Sequence, residues 1–424
     1  MRKNNIKIAI IGLGYVGLPL AIVFASKYHV IALDISKNRI DELNNNFDKT
    51  GEINSSKIKK NKNKILFTTD YSNIKKSNII IVTLPTPIFK NKNPNLNIIK
   101  TACKKIAKNI KKNDTIIFES TVFPGATRKY FIPILEKYSK FKINNDFYCG
   151  YSPERINPGD KKHVINKISK IISASNNKSL NLMHQIYSSV IKAKIYKAPS
   201  IEIAEAAKVI ENCQRDINVG FINELSIIFD KLNLNTNEIL KAAATKWNFL
   251  DFKPGLVGGH CIGIDPYYLT HVAKEVGYTP EIILSGRKVN DNMGYEIVKR
   301  IIKLLIKKKT KIKKTKFLIM GFTFKENCND TRNTKVYDIY KNLVSKGAEV
   351  EIYDPLIEQK NVKKQYNINF IKKPKYKYYD SVIIAVSHNV FIKEGISNIK
   401  KFGKDSALIF DVKNTFPNKG LLYL

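Results

Sequence analysis

Residues 6–34 read IKIAIIGLGYVGLPLAIVFASKYHVIALD, and this stretch decides the fold of the first part of the chain. An apolar run predicts a strand up to residue 11, a glycine turn follows, and a helical stretch leads to a second strand that ends at Asp34. The turn has the spacing GxGxxG, in which glycines permit a sharp turn and let a pyrophosphate approach the N-terminus of the helix. The stretch therefore predicts a βαβ unit that binds a dinucleotide through Gly12, Gly14 and Gly17.

The same stretch has a second interpretation, because a basic start followed by an apolar run is also typical of a signal peptide or a membrane anchor. Three glycines and Pro19 interrupt the run, and the strand pattern resumes at Val30. Later parts of the sequence contain no long uncharged apolar stretch. We therefore predict a cytoplasmic protein with no membrane partner.

Asp34 bears on the choice of dinucleotide. An acidic side chain at the end of the second strand can hold the ribose hydroxyls of NAD and repels the 2′-phosphate of NADP. Arg39 leaves the alternative open, since an arginine nearby could accept that phosphate. We predict NAD as the cofactor.

Composition and charge exclude several classes of protein. Apolar residues make up 43% of the 424 residues, which is enough for packed cores and excludes global disorder. The net charge of +37 is compatible with nucleic-acid binding, but the lysines are scattered through every segment and only eight arginines occur. We interpret the charge as a solvated surface that can attract an anionic substrate, and we predict no nucleic-acid partner. Five cysteines without a CxxC pair predict reduced thiols and no metal site.

Short apolar strands alternate with helical segments on both sides of a long helical run at 200–232, which contains Gly220 but no other Gly or Pro. This alternation predicts an α/β fold with two Rossmann-like, doubly wound parallel-sheet domains joined by a long central helix. A Lys-rich stretch at 306–316 predicts a connector, and a polar stretch at 47–64 predicts a mobile surface insertion. Strands are expected near 6–11, 30–34, 79–82, 115–119, 147–150, 317–321, 349–354, 381–386 and 407–411.

Residues 255–266 read GLVGGHCIGIDP and gather glycines around Cys261 and Asp265. A thiolate is a strong nucleophile when a cation lowers its pKa, and glycines permit the sharp turns that let a thiol reach a substrate carbon. Lys208 can supply the cation, and Asn212 follows four residues later on the same helical face, so the two can stabilise an oxyanion. The alternative is a buried structural cysteine, which is the usual role of this residue type.

Seven motifs occur in order along the chain: GLGYVG at 12–17, VTLPTP at 82–87, EST at 119–121, YSPER at 151–155, Lys208 with Asn212, the Cys261 segment, and GFTFKENCNDTR at 321–332. Together they resemble the UDP-glucose/GDP-mannose dehydrogenase family across essentially the whole chain. The resemblance implies a homodimer formed through the central helix. It also implies three domains: an NAD-binding Rossmann domain at 1–198, a central helical dimerisation domain with the Cys loop at 199–305, and a UDP-binding Rossmann-like domain at 316–424.

The resemblance further implies a four-electron oxidation of an alcohol to a carboxylate, with two NAD molecules used in succession. Cys261 then captures the C6 aldehyde and carries a thioester, and Glu154 positions or activates the hydrolytic water. Lys208 and Asn212 steady the oxygen at C6, and Asp265 helps to handle protons. The residues implied in catalysis are Cys261, Lys208, Asn212, Asp265, Glu154 and Thr121. Those implied at the cofactor are Gly12, Gly14, Tyr15, Val16, Gly17, Asp34, Arg39, Thr86, Thr121 and Arg332. Those implied at the UDP-sugar are Glu154, Arg155, Lys208, Asn212, Arg215, Gly258, Phe324 and Lys325.

One departure from the family pattern bears on the substrate. UDP-glucose dehydrogenases usually carry a lysine immediately before the Asp of the Cys loop, and this chain has Ile264 there. The segment is similar to the branch that oxidises UDP-N-acetylglucosamine or UDP-N-acetylgalactosamine to uronic acids for surface polysaccharides. UDP-N-acetylmannosamine and UDP-glucose stay open as alternative substrates. Two other functions also stay open: a two-electron NAD dehydrogenase with a structural Cys261, and a basic nucleic-acid-binding protein with a vestigial Rossmann domain.

Overall fold

The computed structural model describes residues 6–155, 165–259, 262–417 and 421–424. The chain divides into two compact units. Unit 1 comprises Met1–Glu211 and Tyr267–Tyr278, and unit 2 comprises Asn212–Pro266 and Thr279–Leu424. His260 and Cys261 lie outside the described residues. The division into three domains that the resemblance implies stays a prediction.

Twelve strands form two sheets in the described part of the chain. Unit 1 holds an eight-stranded sheet in the order β3-β2-β1-β4-β5-β6-β7-β8, in which only the β6–β7 pair is antiparallel. Unit 2 holds a fully parallel sheet in the order β10-β9-β11-β12. The strands are β1 Lys7–Ile11, β2 His29–Leu33, β3 Ile65–Thr68, β4 Ile79–Val82, β5 Thr115–Phe118, β6 Tyr148–Tyr151, β7 Lys170–Ala174, β8 Ile195–Lys197, β9 Lys316–Met320, β10 Glu349–Tyr353, β11 Tyr379–Ile384 and β12 Gly403–Asp411. The predicted α/β class and its two parallel-dominated sheets are confirmed.

Fourteen α-helices connect these strands in the same described ranges. They are α1 Gly17–Ala25, α2 Lys37–Asn44, α3 Ser55–Asn61, α4 Asn97–Ala107, α5 Ile132–Ser139, α6 Asn177–Ser188, α7 Ile201–Lys231, α8 Thr236–Ala243, α9 Asp265–Glu275, α10 Glu281–Lys307, α11 Val336–Ser345, α12 Gln359–Tyr366, α13 Asn389–Glu394 and α14 Ile396–Lys400. Short 3₁₀ helices occupy Lys62–Lys64, Tyr71–Lys76 and Ile165–Lys167, and a π-helical turn at Thr127–Phe131 precedes α5. No described helix is long and apolar enough to cross a membrane.

Strands β1 and β4 are neighbours in the interior of the first sheet, where Ile8 pairs with Ile79 and Ile10 with Ile81. All four side chains are fully buried. Helices cover both faces of a parallel sheet, so its central strands are apolar along their whole length rather than alternating. This is why continuous runs such as KIAII and IIIV identified the strands in the sequence.

The stretch 47–64 is folded, so the prediction of a mobile insertion was wrong. It contains α3, whose side chain Ile58 is fully buried in the core of unit 1. The Asn54 side chain caps this helix by accepting a hydrogen bond from the Lys57 backbone N–H at 3.1 Å. The polar composition of this stretch does not indicate α3, because the helix buries only one side chain, that of Ile58.

Helix α7 confirms the long helix that was predicted at 200–232. In unit 2 its second half crosses α10 at very close range. A Cβ atom added to Gly220 would lie 3.0 Å from the carbonyl oxygen of Gly286. The crossing is fixed by Arg287, which donates to the Asp216 carboxylate at 2.6 Å. Glycine at position 220 lets the two backbones approach this closely.

The predicted connector at 306–316 corresponds to the eight residues between α10 and β9. Its first two residues, Ile306 and Lys307, still belong to α10, and its last, Lys316, begins β9. From there the second sheet builds its own apolar core, with Phe317, Ile319 and Ile383 fully buried.

Candidate functional site

The glycine turn of unit 1 has the geometry that a dinucleotide requires. Gly12 has φ of +95°, and its N–H donates to the Leu33 carbonyl at 2.8 Å, which ties the turn to the end of β2. A Cβ atom on Gly17 would lie 1.8 Å from the Gly12 carbonyl oxygen, so only glycine lets α1 pack this closely. A Cβ atom on Gly14 would meet nothing within 4 Å. Open space above Gly14, next to the start of α1, is where a pyrophosphate would lie.

Tyr15 and Val16 follow Gly14 and lead directly into α1. Thr83, which the sequence did not single out, fixes the same turn. Its hydroxyl donates to the Gly12 carbonyl at 2.7 Å. The sequence did contain a signal for this role, because Thr83 directly follows β4 and belongs to the VTLPTP motif.

Asp34 lies just beyond β2 and is bound to the glycine turn. Its carboxylate accepts hydrogen bonds from the backbone N–H groups of Leu13 and Ser36, each at 2.9 Å. Arg39 is buried, donates to the Leu13 carbonyl at 2.9 Å and pairs with the Asp48 carboxylate at 2.7 Å. Because a carboxylate already neutralises this guanidinium, it is poorly placed to attract a 2′-phosphate. The residues present therefore fit NAD better than NADP.

Two further loops of unit 1 are held by residues that the sequence did not single out. Thr86 is fixed by the fully buried Tyr268, whose hydroxyl donates to the Thr86 carbonyl at 2.6 Å. Thr121 is half-buried just after β5, and the loop beyond it is held by Glu205. The Glu205 carboxylate accepts from the N–H groups of Gly125 at 2.6 Å and of Thr127 at 2.9 Å.

Glu205 has an altered ionisation. Burial raises the pKa of its carboxyl to about 7, against the opposing effect of the hydrogen bonds from Thr127 and Gly125. The charged form is disfavoured because burial removes it from water. The loop that carries Thr121 is therefore held by the Glu205 carboxyl, whose pKa is close to neutral pH.

Glu154 is buried just after β6, in contact with two buried ammonium groups of unit 1. Lys170 donates to the Glu154 carboxylate at 2.7 Å, and Lys208 donates to the Glu154 backbone carbonyl at 2.7 Å. Lys170 also binds the Glu119 carboxylate at 3.0 Å. The adjacent Arg155 pairs with Glu211 at 2.9 Å. The sequence indicated Glu154 and Lys208 but gave no sign of Lys170, one lysine among many.

In unit 2 the structure brings Asn212 and Asp265 together. The Asn212 amide donates to the Asp265 carboxylate, and both side chains are almost fully buried. Asp265 is the first residue of α9. The amide hydrogen bond therefore orients this carboxylate at the N-terminus of α9. Arg215, on the next turn of α7, is exposed.

The glycines before Cys261 pack against the predicted nucleotide-sugar residues of unit 2. A Cβ atom on Gly258 would lie 2.8 Å from the Asn333 carbonyl oxygen, and one on Gly259 would lie 2.7 Å from the Phe324 ring. Asn333, which the sequence did not single out, donates to the Gly259 carbonyl at 3.1 Å. The loop 321–333 and the Cys loop therefore fit together only with glycine at both positions.

Lys325 and Arg332 lie on the same loop 321–333. The backbone carbonyl of Lys325 accepts a hydrogen bond from the Thr323 hydroxyl at 2.8 Å. The Arg332 side chain forms an ion pair with Asp330, its Nε lying 3.0 Å from both carboxylate oxygens. Both side chains are partly accessible to solvent or to a ligand.

The four described cysteines are poor nucleophiles. Cys103, Cys149, Cys213 and Cys328 are all buried. Burial raises the pKa of each thiol, that of Cys213 to about 12, where Asp265 and Asp216 add to the effect. A thiol must become a thiolate to attack carbon, so none of these four suits covalent catalysis.

Three family models together match most of the chain. Models of the UDP-glucose/GDP-mannose dehydrogenase family match residues 6–191 as its NAD binding domain, 202–292 as its central domain and 318–418 as its UDP binding domain. The chain is 47% identical over 410 residues to a UDP-N-acetyl-D-glucosamine 6-dehydrogenase of Pseudomonas aeruginosa, covering 97% of each protein. Its relative of the same name in Salmonella typhi is also 47% identical, over 98% of this chain and 97% of the relative. Among solved structures, a UDP-D-ManNAc dehydrogenase from Pyrococcus horikoshii is similar with a TM-score of 0.89 at 28% identity, covering 99% of this chain and 98% of that one.

Proposed function

Because the chain belongs to the UDP-glucose/GDP-mannose dehydrogenase family, we propose that it oxidises the C6 hydroxyl of a UDP-N-acetylhexosamine to the carboxylate. It is an NAD-dependent oxidoreductase that acts on a nucleotide sugar. The proposed substrates are UDP-N-acetylglucosamine and UDP-N-acetylgalactosamine, and the uronic acid product would supply surface polysaccharide synthesis.

The observation that carries the choice of substrate is the identity of 47% to relatives named for UDP-N-acetyl-D-glucosamine. Ile264 supports it, since an apolar side chain replaces the lysine of UDP-glucose dehydrogenases next to Asp265. UDP-N-acetylmannosamine is the second candidate, because the similar solved structure from Pyrococcus horikoshii is named for that sugar. The lower identity of 28% places it second.

The cofactor site belongs to unit 1. Gly12, Gly14 and Gly17 leave room for a pyrophosphate at the start of α1, and the Asp34 carboxylate would accept hydrogen bonds from the adenosine ribose. A bound NAD would supply the hydride acceptor for each of the two oxidations at C6, with exchange of the cofactor between them. Thr86 and Thr121, on loops held by Tyr268 and Glu205, would line the same site.

The proposed chemistry assigns one task to each side chain. Lys208, as proton donor or acceptor, and the Asn212 amide stabilise negative charge on the oxygen at C6. The Cys261 thiolate adds to the aldehyde carbon, and loss of the second hydride leaves a thioester. Asp265 is held by Asn212 and helps to move protons, while Glu154 activates water for hydrolysis. A covalently held aldehyde cannot escape during the exchange of NAD.

The nucleotide sugar would be held by residues that the family resemblance indicates, namely Arg155, Arg215, Gly258, Phe324 and Lys325. The packing of Gly258 and Gly259 against the loop 321–333 supports this for the unit 2 residues, since a close fit fixes Phe324 beside the Cys loop. Arg332 at the cofactor stays a prediction.

A homodimer through α7 is supported by an apolar stripe on that helix. Ile203, Ile210, Phe221 and Ile228 recur at intervals of seven or eleven residues, which keeps them on one helical face. Each is between 43% and 55% exposed, unusual for side chains of this size. A second copy of the chain would bury them.

Parallel assays test the proposal with UDP-N-acetylglucosamine, UDP-N-acetylgalactosamine, UDP-N-acetylmannosamine and UDP-glucose. NADH release and product mass are measured for each. The expected result is two NADH per sugar and a carboxylate product from an N-acetylglucosamine or N-acetylgalactosamine donor. One NADH per sugar would refute the thioester route, and turnover of UDP-glucose alone would refute the substrate assignment.

A further inference from the structure

A buried network of charges surrounds Glu154 inside unit 1. Lys170 lies between two carboxylates, 2.7 Å from Glu154 and 3.0 Å from Glu119. The Tyr187 hydroxyl donates to the other oxygen of Glu119. All four side chains are at least nine-tenths buried. The lysine-rich chain keeps its other described lysines exposed or half-buried, with the exception of Lys208, which also donates to Glu154.

The reversed strand β7 explains how Lys170 reaches this place. In a parallel sheet the first residue of a strand lies at the edge opposite to the carboxyl ends of its neighbours. Strand β7 runs antiparallel to β6, with Ser173 opposite Tyr151, so its first residue Lys170 meets the carboxyl ends of β5 and β6. Glu119 follows β5 directly and Glu154 follows β6 by three residues. The one reversal in the described sheet thus delivers an ammonium group to the edge where ligands bind.

The ammonium form of Lys170 is the favoured one. Burial alone would lower its pKa, but the charges and hydrogen bonds of Glu119 and Glu154 outweigh burial and raise it. Burial raises the pKa of Glu119, against the attraction of Lys170. The groups that face Glu154 are therefore Lys170 from β7, Glu119 after β5 and Lys208 from α7, with Tyr187 of α6 behind Glu119.

We propose that Lys170 is a positioning residue for Glu154, whose carboxylate its buried ammonium holds in place for hydrolysis of the thioester. Glu119 and Tyr187 hold the ammonium in place. This inference rests on the proposed function, because it needs a thioester to hydrolyse. Removing Lys170 takes away the hydrogen bond that its ammonium donates to the Glu154 carboxylate, so this carboxylate loses its fixed orientation.

The hydrolytic step has a simple balance. The water oxygen forms a bond to the thioester carbon, and Glu154 takes one proton from the water. The bond between that carbon and the Cys261 sulfur breaks, and the second water proton goes to the departing thiolate. The products are the sugar carboxylate, the free thiol and a protonated Glu154, which then loses its proton to solvent. No oxidant is consumed in this step, so both NADH molecules are formed before it.

A purely structural role for Lys170 is the competing explanation, because breaking a buried ion pair is strongly destabilising by itself. The double variant Lys170→Gln/Glu119→Gln separates the two roles. It removes one positive and one negative charge together and leaves two amides that can bond to each other. Glu154 still loses its ammonium partner. The matched control is Lys167→Gln, which removes an exposed lysine three residues earlier.

The experiment uses the full chain with NAD and UDP-N-acetylglucosamine. We expect the double variant to unfold close to the wild-type temperature and to give a rapid burst of two NADH per subunit. Steady-state turnover should then fall at least about tenfold, part of the usual effect of a general base. Intact protein mass should reveal an accumulated uronyl adduct. Lys170→Arg keeps the positive charge, so its steady-state turnover should lie between those of the double variant and the wild type.

Two outcomes overturn the inference while leaving the proposed function intact. One is a stable double variant with wild-type turnover and no adduct. The other is a stable double variant whose NADH burst is slowed as much as its turnover. A wild-type enzyme that forms only one NADH, or no carboxylate, would instead refute the proposed function itself.

Discussion

The Lys208 ammonium donates a hydrogen bond to the backbone carbonyl of Glu154 at 2.7 Å. Helix α7 and the segment after β6 are thereby joined at two residues with different proposed tasks, one at the C6 oxygen and one at the hydrolytic water. A fixed ammonium loses little entropy when it meets a developing negative charge, which is the condition for efficient electrostatic stabilisation.

Lys208→Ala should therefore slow hydride transfer strongly, by about a hundredfold or more in kcat, with a smaller effect on KM. Stopped-flow NADH formation measures this step before hydrolysis begins. Lys231→Ala, at the far end of the same helix, is the control and should behave as wild type. A burst of normal rate in Lys208→Ala would remove this residue from the chemistry.

Gly14→Ala and Gly17→Ala should fail in different ways. The Gly17 variant places a Cβ atom 1.8 Å from the Gly12 carbonyl and should cost about 3 kcal/mol of unfolding free energy. The Gly14 variant meets no protein atom within 4 Å, so it should fold normally but weaken NAD binding at least about tenfold. Thermal unfolding and NAD titration by calorimetry distinguish them. Unchanged NAD affinity in Gly14→Ala would mean that no pyrophosphate lies there.

Glu205→Gln should change how stability depends on pH. The folded protein raises the Glu205 pKa from 4.5 to about 7, so the folded state binds this proton more tightly than the unfolded state. Its contribution to stability is thus complete below pH 4.5 and is lost as pH rises to about 7, on the order of 3 kcal/mol. Urea unfolding between pH 4.5 and 8 should show a smaller decline in the variant than in wild type.

Glu202→Gln is the control for that measurement. Although burial opposes it, the hydrogen bond from Arg128 lowers the pKa of Glu202, so its contribution has the opposite sign and is lost as pH falls. Parallel pH profiles for wild type and Glu205→Gln would show that Glu205 ionises normally.

Asn212→Asp should damage unit 2 in a pH-dependent way. The new carboxylate would lie against Asp265 in a buried site, and two adjacent carboxylates cannot both ionise at low cost. We expect a loss of about 3 kcal/mol at pH 8 that becomes smaller at pH 5. Asn218→Asp, a half-buried position on the same helix, should show no such pH dependence. Equal losses in both variants would argue against the Asn212–Asp265 contact.

Phe221→Glu should dissociate the proposed dimer. Phe221 is 55% exposed in the apolar stripe of α7, and a charge there would be buried without a partner by a second copy. Light scattering coupled to size-exclusion chromatography should report half the wild-type mass. Glu238→Gln, an exposed position on α8 rather than on α7, should leave the mass unchanged. A wild-type chain that is already monomeric would exclude this interface.

Much of the fold could be predicted because its signals are local. Continuous apolar runs indicated the central strands, and the absence of Pro between 200 and 232 indicated α7. The direction of β7 could not be predicted, since the sequence KIISA looks the same in a parallel and an antiparallel strand. The direction of this strand depends on its long-range pairing with β6, which its own residues do not encode.

The residues of the candidate site also fall into two groups, those that local sequence motifs indicate and those that only the fold reveals. Motif residues such as Glu154 and Lys208 were indicated by short sequence patterns. Lys170, Glu205 and Tyr268 act on segments 16, 78 and 182 residues away, and nothing in their own neighbourhoods distinguishes them. Long-range pairing of buried polar groups is decided by the fold, so it becomes visible only in three dimensions.

The ion pair between Arg39 and Asp48 limits how the coenzyme preference could be redesigned. A common route from NAD to NADP replaces the acidic residue after the second strand, here Asp34, and relies on a nearby cation. In this chain that cation is already committed to Asp48, which the folded stretch 47–64 supplies. Replacement of Asp34 alone would remove the preference for NAD without creating a preference for NADP. A redesign that binds NADP would also have to free Arg39 from its ion pair with Asp48, which would destabilise the segment that Asp48 anchors.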